Sequence, residues 1–142
     1  MKRLLVLLIA VMSMSGCATL QDTFDYFDMA RFDNNEYLLA VKVRTQANLG
    51  ARKCGTPEVN QEVSKLWGNT LELKNYSEAI PKNEETVIMT SELLEIVRGL
   101  DKRYNIDMKT VSMTYCTTKF TNIEKNATII TNVIGRKPKE RW

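Results

Sequence analysis

The sequence predicts an all-α protein, an up-and-down bundle of about four long helices preceded by a short one. Three observations lead there. Apolar side chains recur at three- and four-residue spacing from residue 33 to about residue 134, which is the period of a helix face. Helix-start signals stand where that periodicity resumes: Asp33 with Glu36, then Thr56-Pro57-Glu58, then Asn83-Glu84-Glu85. The connections between the periodic stretches are short, and short connections set consecutive helices antiparallel and side by side.

The chain begins differently. Lys2 and Arg3 precede an apolar run from Leu4 to Met12, and Ser13-Met14-Ser15-Gly16 leads to Cys17. Charge, apolar run and small residues are the layout of a secretory signal. The run falls short of the roughly 20 residues that a membrane-spanning helix needs. The ending Met14-Ser15-Gly16-Cys17 resembles the lipobox of bacterial lipoprotein precursors, with Met14 in place of the usual Leu. The resemblance implies that Cys17 becomes the first residue and carries a diacylglyceryl group on its sulfur. An acyl chain such as palmitate would sit on its amine. Each buried methylene contributes about 0.8 kcal/mol, so two or three chains hold firmly where one holds marginally. Ala18 in place of Asp implies the outer membrane, facing the periplasm. Residues 1–16 are then signal peptide, 17–22 a lipidated tether, 23–135 one helical-bundle domain and 136–142 a basic tail.

The tether spans about 17 Å when extended, at roughly 3.4 Å per residue, which holds the body close to its membrane. A short amphipathic helix follows over 22–32, with Phe24, Phe27 and Arg31 or Phe32 on one side and Asp22, Asp25 and Asp28 sharing a face. That face reads as solvated, because a calcium loop needs more oxygen ligands and a sharp glycine turn.

Residues 33–53 form the clearest helix. Asp33 and Glu36 have capping-box spacing. Tyr37, Ala40, Val41, Arg44, Ala47 and Ala51 fall on one stripe, beside Leu38 and Leu39. Gly55 and Pro57 end it. The next helix opens with Thr56 as cap and Pro57 in the first turn, and buries Val59, Val63, Leu66, Trp67, Thr70 and Leu71. Gly68 leaves room for close packing beside Trp67. Pro81 ends the segment. A third helix over 84–104 points Val87, Ile88, Ser91, Leu94, Ile96 or Val97, Leu100 and Tyr104 inward.

Asp107 is placed to cap a last helix from about Met108, with Val111, Tyr115, Thr118, Ile123, Ile129, Ile130 and Val133 apolar. Within 111–134 the density of Thr, aromatic and branched residues also reads as strand. Helix is preferred because an isolated hairpin is marginal and nothing else offers it a sheet.

Composition narrows function. The chain has 20 basic and 17 acidic side chains; without Lys2 and Arg3 the basic count is 18 and the net charge +1. That is no nucleic-acid footprint. Histidine is absent, which removes the commonest general base and metal ligand. No Gly-x-Ser-x-Gly elbow, phosphate loop or zinc-protease motif occurs. Neither an enzyme nor a cofactor is expected, and an envelope hydrolase would need two separated acids converging in a cleft.

Cys54 and Cys116 remain beyond Cys17, and in an exported chain they are most simply a disulfide. Two buried thiols or a metal site are the alternatives, the metal disfavoured without His or Cys-x-x-Cys. A last helix starting at Met108 would put Cys116 about 12 Å along it, so a bond needs staggered helices or a later start.

An up-and-down bundle returns its last residues to the end where it began. Arg136, Lys137, Lys139, Arg141 and Trp142 would then lie near the membrane, where each basic residue contributes about 1 kcal/mol of attraction to anionic lipid. Three readings follow. The first is a non-catalytic helical binding module, anchored in the membrane by lipid and contacting an envelope protein, like small exclusion, immunity or inhibitor lipoproteins. The second is a structural adaptor between membrane and cell wall through the basic tail. The third is the hydrolase.

Overall fold

Asp33 begins the first helix by turning its carboxylate onto the amide of Glu36, 2.9 Å away. The computed structural model describes residues 29–107 and 110–139. It contains α1 (Asn34–Arg52), α2 (Val59–Ala79), α3 (Glu84–Asp101) with a π-helical turn at Lys102–Ile106, and α4 (Met113–Arg136). Each helix contacts its two neighbours in a ring: α1 touches α2 and α4, α3 touches α2 and α4, and neither diagonal pair meets. This is the all-α up-and-down bundle, with no strand among the described residues.

The core follows one rule in all four helices: buried positions alternate strictly at four and three residues. In α1 and its cap they are Glu36, Ala40, Val43, Ala47, Gly50 and Cys54. In α2 they are Val59, Val63, Leu66, Thr70, Leu73 and Ser77. The α3 side runs Asn83, Thr86, Thr90, Leu93, Val97, Leu100 and Tyr104, and Leu94 beside it is also buried. The α4 side runs Cys116, Phe120, Ile123, Ala127, Ile130, Ile134 and Lys137, beside a buried Thr131. This is the heptad spacing of coiled-coil seams, in which side chains repeat every 3.5 residues. The buried threonines Thr70, Thr90 and Thr131 satisfy their hydroxyls on the carbonyl four residues back, at 2.7, 2.8 and 2.7 Å.

The inward faces therefore differ from the apolar stripes read in sequence. In α1 the stripe turns onto Val43 and Gly50, with Val41 and Arg44 only half-buried. In α3, Thr86 and Thr90 are buried while Ile88 is 59% exposed. In α4, Ile129 is 53% exposed and Val133 half-buried, because the seam uses Ala127, Ile130 and Ile134. The short first helix lies mostly outside the described residues, and its described part, 29–32, is not helical.

Two helix starts move. The hydroxyl of Thr56 donates back to the carbonyl of Lys53 at 2.8 Å instead of capping, and α2 begins at Val59. The last helix begins at Met113 rather than 108, with Ser112 accepting the amide of Tyr115. The later start puts Cys116 in the first turn of α4, opposite Cys54 just past the end of α1. The two are bonded, with Cα atoms 5.8 Å apart. Closing a loop of sequence separation 62 contributes around 4 kcal/mol in the chain-entropy model. The bond fastens one end of the bundle, here called the far end. Beside it the Arg103 guanidinium stacks on the ring of Tyr115, 4.5 Å from its centroid.

Glycines give a direct test of the packing. A Cβ on Gly50 would lie 2.1 Å from the Phe120 ring, whereas one on Gly68 meets nothing within 4 Å, so Gly68 does not serve close packing. Gly50→Ala is expected to lower unfolding free energy by about 1–3 kcal/mol through overpacking. Gly68→Ala is expected to raise it, by up to about 1 kcal/mol through helix propensity. Urea unfolding of the two variants beside the parent protein measures both, and a stabilising Gly50→Ala would contradict the α1–α4 packing.

Candidate functional site: a buried polar cluster at the basal end

Pro138 cannot continue α4, and it pushes the residue before it out of the helical region. Lys137 accordingly has φ −57° and ψ 148°. It still lies three residues beyond Ile134, on the inward face. Its ammonium enters the end of the bundle opposite the disulfide, here called the basal end, and rests 2.7 Å from Glu36 Oε2. It also donates to Asn83 Oδ1 at 2.5 Å. Asn83 Nδ2 in turn donates to Glu36 Oε1 at 2.6 Å and to the carbonyl of Ser77 at 2.9 Å. The amide orientation is fixed by its neighbours, since lysine can only donate and carboxylate can only accept. Glu36, Asn83 and Lys137 are 0%, 4% and 6% exposed.

All four helices meet here: the start of α1, the end of α2, the start of α3 and the end of α4. The chain on either side is drawn in as well. The amide of Phe32 donates to the carbonyl of Pro138 at 2.9 Å, so the segment entering α1 and the segment leaving α4 lie together. Ala30 donates to the carbonyl of Lys82 at 2.9 Å, which fastens the entering segment to the α2–α3 turn. Lys82 in that turn has a left-handed φ of 61°, uncommon for a residue with a side chain.

Two hydroxyls beside the cluster, Ser77 Oγ and Thr86 Oγ1, are buried without a hydrogen-bond partner among the described residues. The threonine case has a structural cause. Thr86 lies in the first turn of α3, so the carbonyl four residues back belongs to Lys82, outside the helix. A pocket of about 250 Å³ opens next to it, lined by Met29, Ala30, Lys82, Asn83, Glu84, Glu85, Thr86 and Lys137.

The residues singled out by sequence fall into three groups. Cys17, Arg141 and Trp142 lie outside the described residues. Cys54 and Cys116 are joined at the far end. Of the tail, Arg136 and Lys139 are exposed, with Lys139 5.2 Å from the centre of the Phe32 ring. Lys137 is a correction: its ammonium is buried against Glu36 and does not belong to a surface for lipid or cell wall. The expected capping box is also corrected in part. Asp33 caps as expected, but both Glu36 carboxylate oxygens are taken by Lys137 and Asn83. Sequence marked Glu36 as a capping partner and Asn83 as a helix start, and only the three–four spacing of the seam could have shown that both turn inward. No cluster of three or more His, Cys, Asp or Glu suited to a metal occurs among the described residues, and no described helix is long and apolar enough to cross a membrane. Compared with protein-family models, curated proteins and solved structures, the chain matches none.

Removing one partner of a buried ion pair leaves an uncompensated charge, which typically costs 3–5 kcal/mol. Lys137→Met is expected to destabilise by about that amount, and adding Glu36→Gln to recover part of it. Chemical denaturation of the parent, both single variants and the double variant gives the coupling energy. Strict additivity would mean the pair does not interact.

Proposed function

We propose that this protein is a lipid-anchored envelope protein whose helical bundle acts as a non-catalytic binding module for a protein partner. The observation that carries the reading is a conjunction. A signal-like leader ends at the lipobox-like Met14-Ser15-Gly16-Cys17, and the body that follows is closed by a Cys54–Cys116 bond. The two features are independent, and both suit an exported chain in an oxidising compartment. Acyl chains on Cys17 hold the chain in the outer membrane, and the bundle faces the periplasm. Its entering segment meets Lys82 and Pro138, so the basal end is nearer the anchor along the chain and the disulfide end is farther.

The surface supports a binding role in two places. Leu38 and Leu49 are 53% and 46% exposed and lie three turns apart on the same outer face of α1. Around the α2–α3 turn, Ile80, Pro81, Val87 and the exposed Ile88 line an apolar hollow. Apolar surface left in water at such places is a common property of protein-binding faces.

The membrane part of the reading is tested on Cys17. The parent protein is expected in the membrane fraction, with an intact mass that begins at Cys17 and includes acyl chains. Cys17→Ser should lose the acyl mass and leave the membrane pellet. A parent chain that still begins at Met1 without added mass would overturn the proposal.

A further inference from the structure

Charge is spread unevenly around the ring of helices. α1 has three basic residues, Lys42, Arg44 and Arg52, and one acid, Glu36, which is buried. α3 has five acids, Glu84, Glu85, Glu92, Glu95 and Asp101, and one base, Arg98, which pairs with Glu95 at 3.0 Å. The two helices stand on opposite sides of the bundle and do not touch. Each also shows large apolar side chains to solvent. The outer stripe of α1 is Leu38, Lys42, Thr45, Leu49 and Arg52, its two leucines 53% and 46% exposed. That of α3 runs through Glu85, Ile88, Glu92 and Ile96, its two isoleucines 59% and 36% exposed. Glu85 and Glu92 are in no ion pair among the described residues. Gly99 lies on the same outer face of α3, and a Cβ there would meet nothing within 4 Å, so no neighbour inside the bundle requires a glycine at that place.

We propose that the α1 face of one copy of this chain docks on the α3 face of another. The two faces complement each other in charge, and each brings apolar side chains to the contact. Neither face complements itself: two α1 faces would set Lys42 and Arg52 against their like, and two α3 faces would set glutamate against glutamate. The interface is therefore head to tail. Every copy carries both faces, so the contact passes from copy to copy and either closes a ring or extends a row. Lys42 also reaches Glu72 at 2.9 Å, but both side chains are about half exposed, and such surface pairs are weak and exchange partners readily. α1 and α3 both run from the basal end to the far end, so copies standing side by side with basal ends level pair them in parallel. The bond between Asn83 and Glu36 marks a common level. Counting from it at about 1.5 Å per residue, Lys42 stands between Glu85 and Glu92, Leu49 faces Ile96, and the long Arg52 faces the bare Gly99. This names the partner for the exposed surface on which the binding reading rests. The parallel alignment depends on anchorage at Cys17; the match of the two faces does not.

The test is sedimentation velocity of the full chain in non-ionic detergent over a range of concentrations. The particle is expected to grow with concentration from a single copy to pairs and longer assemblies. It should shrink again when salt is raised from about 0.1 M to about 1 M, which shortens the Debye length from about 10 Å to about 3 Å. Lys42→Glu and Glu92→Lys change exposed side chains, and each variant should fold normally, by circular dichroism, yet stay single where the parent associates. An equimolar mixture of the two should associate again, because the reversed α1 face of one fits the reversed α3 face of the other and their unchanged faces fit as well. A parent that stays single at every concentration overturns the proposal, while leaving a binding module for other proteins standing. Single variants that associate as the parent does also overturn it, as does a mixture of folded variants that fails to recover.

Discussion

The side chain of Lys137 is 5% exposed, and the carboxylate of the fully buried Glu36 lies 2.7 Å from its ammonium. A buried charge is tolerated only when it is paired and its hydrogen bonds are met. Meeting that condition brings Glu36 from the first helix, Asn83 from the α2–α3 turn and the Ser77 carbonyl from the end of α2 to one place. Such pairs add little net stability over apolar packing, and their attested use is to fix register. Sliding α1 or α4 by a turn would leave the lysine and the glutamate buried apart, and sliding α2 or α3 would take Ser77 or Asn83 away from them. The cluster thus selects one alignment among the several that a repeating seam would otherwise permit.

The need for such a selector follows from the seam itself. Its residues include Ala40, Ala47, Gly50 and Ala127, and the threonines Thr70, Thr86 and Thr90. Small and hydroxylated side chains discriminate weakly between neighbouring registers, because each fits against many partners. The larger contacts, such as Phe120 over Gly50, add specificity toward the far end. The disulfide fixes that end and the polar cluster fixes the other, so the weakly specific middle is held between two definite points.

The same composition explains what was legible in sequence. Helix number, connection sites and the ring order were readable from periodicity, from Gly55, Pro57, Pro81 and Pro138, and from the shortness of the turns. The inward faces were less so, because a search for large apolar residues selects Val41 and Ile88 over Gly50 and Thr86. Position, rather than hydrophobicity, marks this seam: four–three alternation passes through Glu36 and Lys137 as readily as through Val43. The basic tail misled for a related reason. Counting charge groups Lys137 with Lys139, whereas Pro138 bends the chain and the seam spacing turns Lys137 inward.

The closure of α1 on α4 also sets an order of events during synthesis. The α1–α2 and α2–α3 pairs are local and form as soon as their segments exist, whereas α1 meets α4 only across separations of 62 at the disulfide to 101 at the Glu36–Lys137 pair. Contacts between distant segments form slowly because loop closure comes before their reward. A chain that has folded only its first three helices has therefore buried α1 against α2 and α2 against α3, and leaves a free thiol at Cys54. Only with Lys137 does the carboxylate of Glu36 find its counter-charge. Until then α1 and α3 both leave uncovered the sides that α4 will bury, and a chaperone that shields this one open face of the bundle meets the main hazard in making this protein.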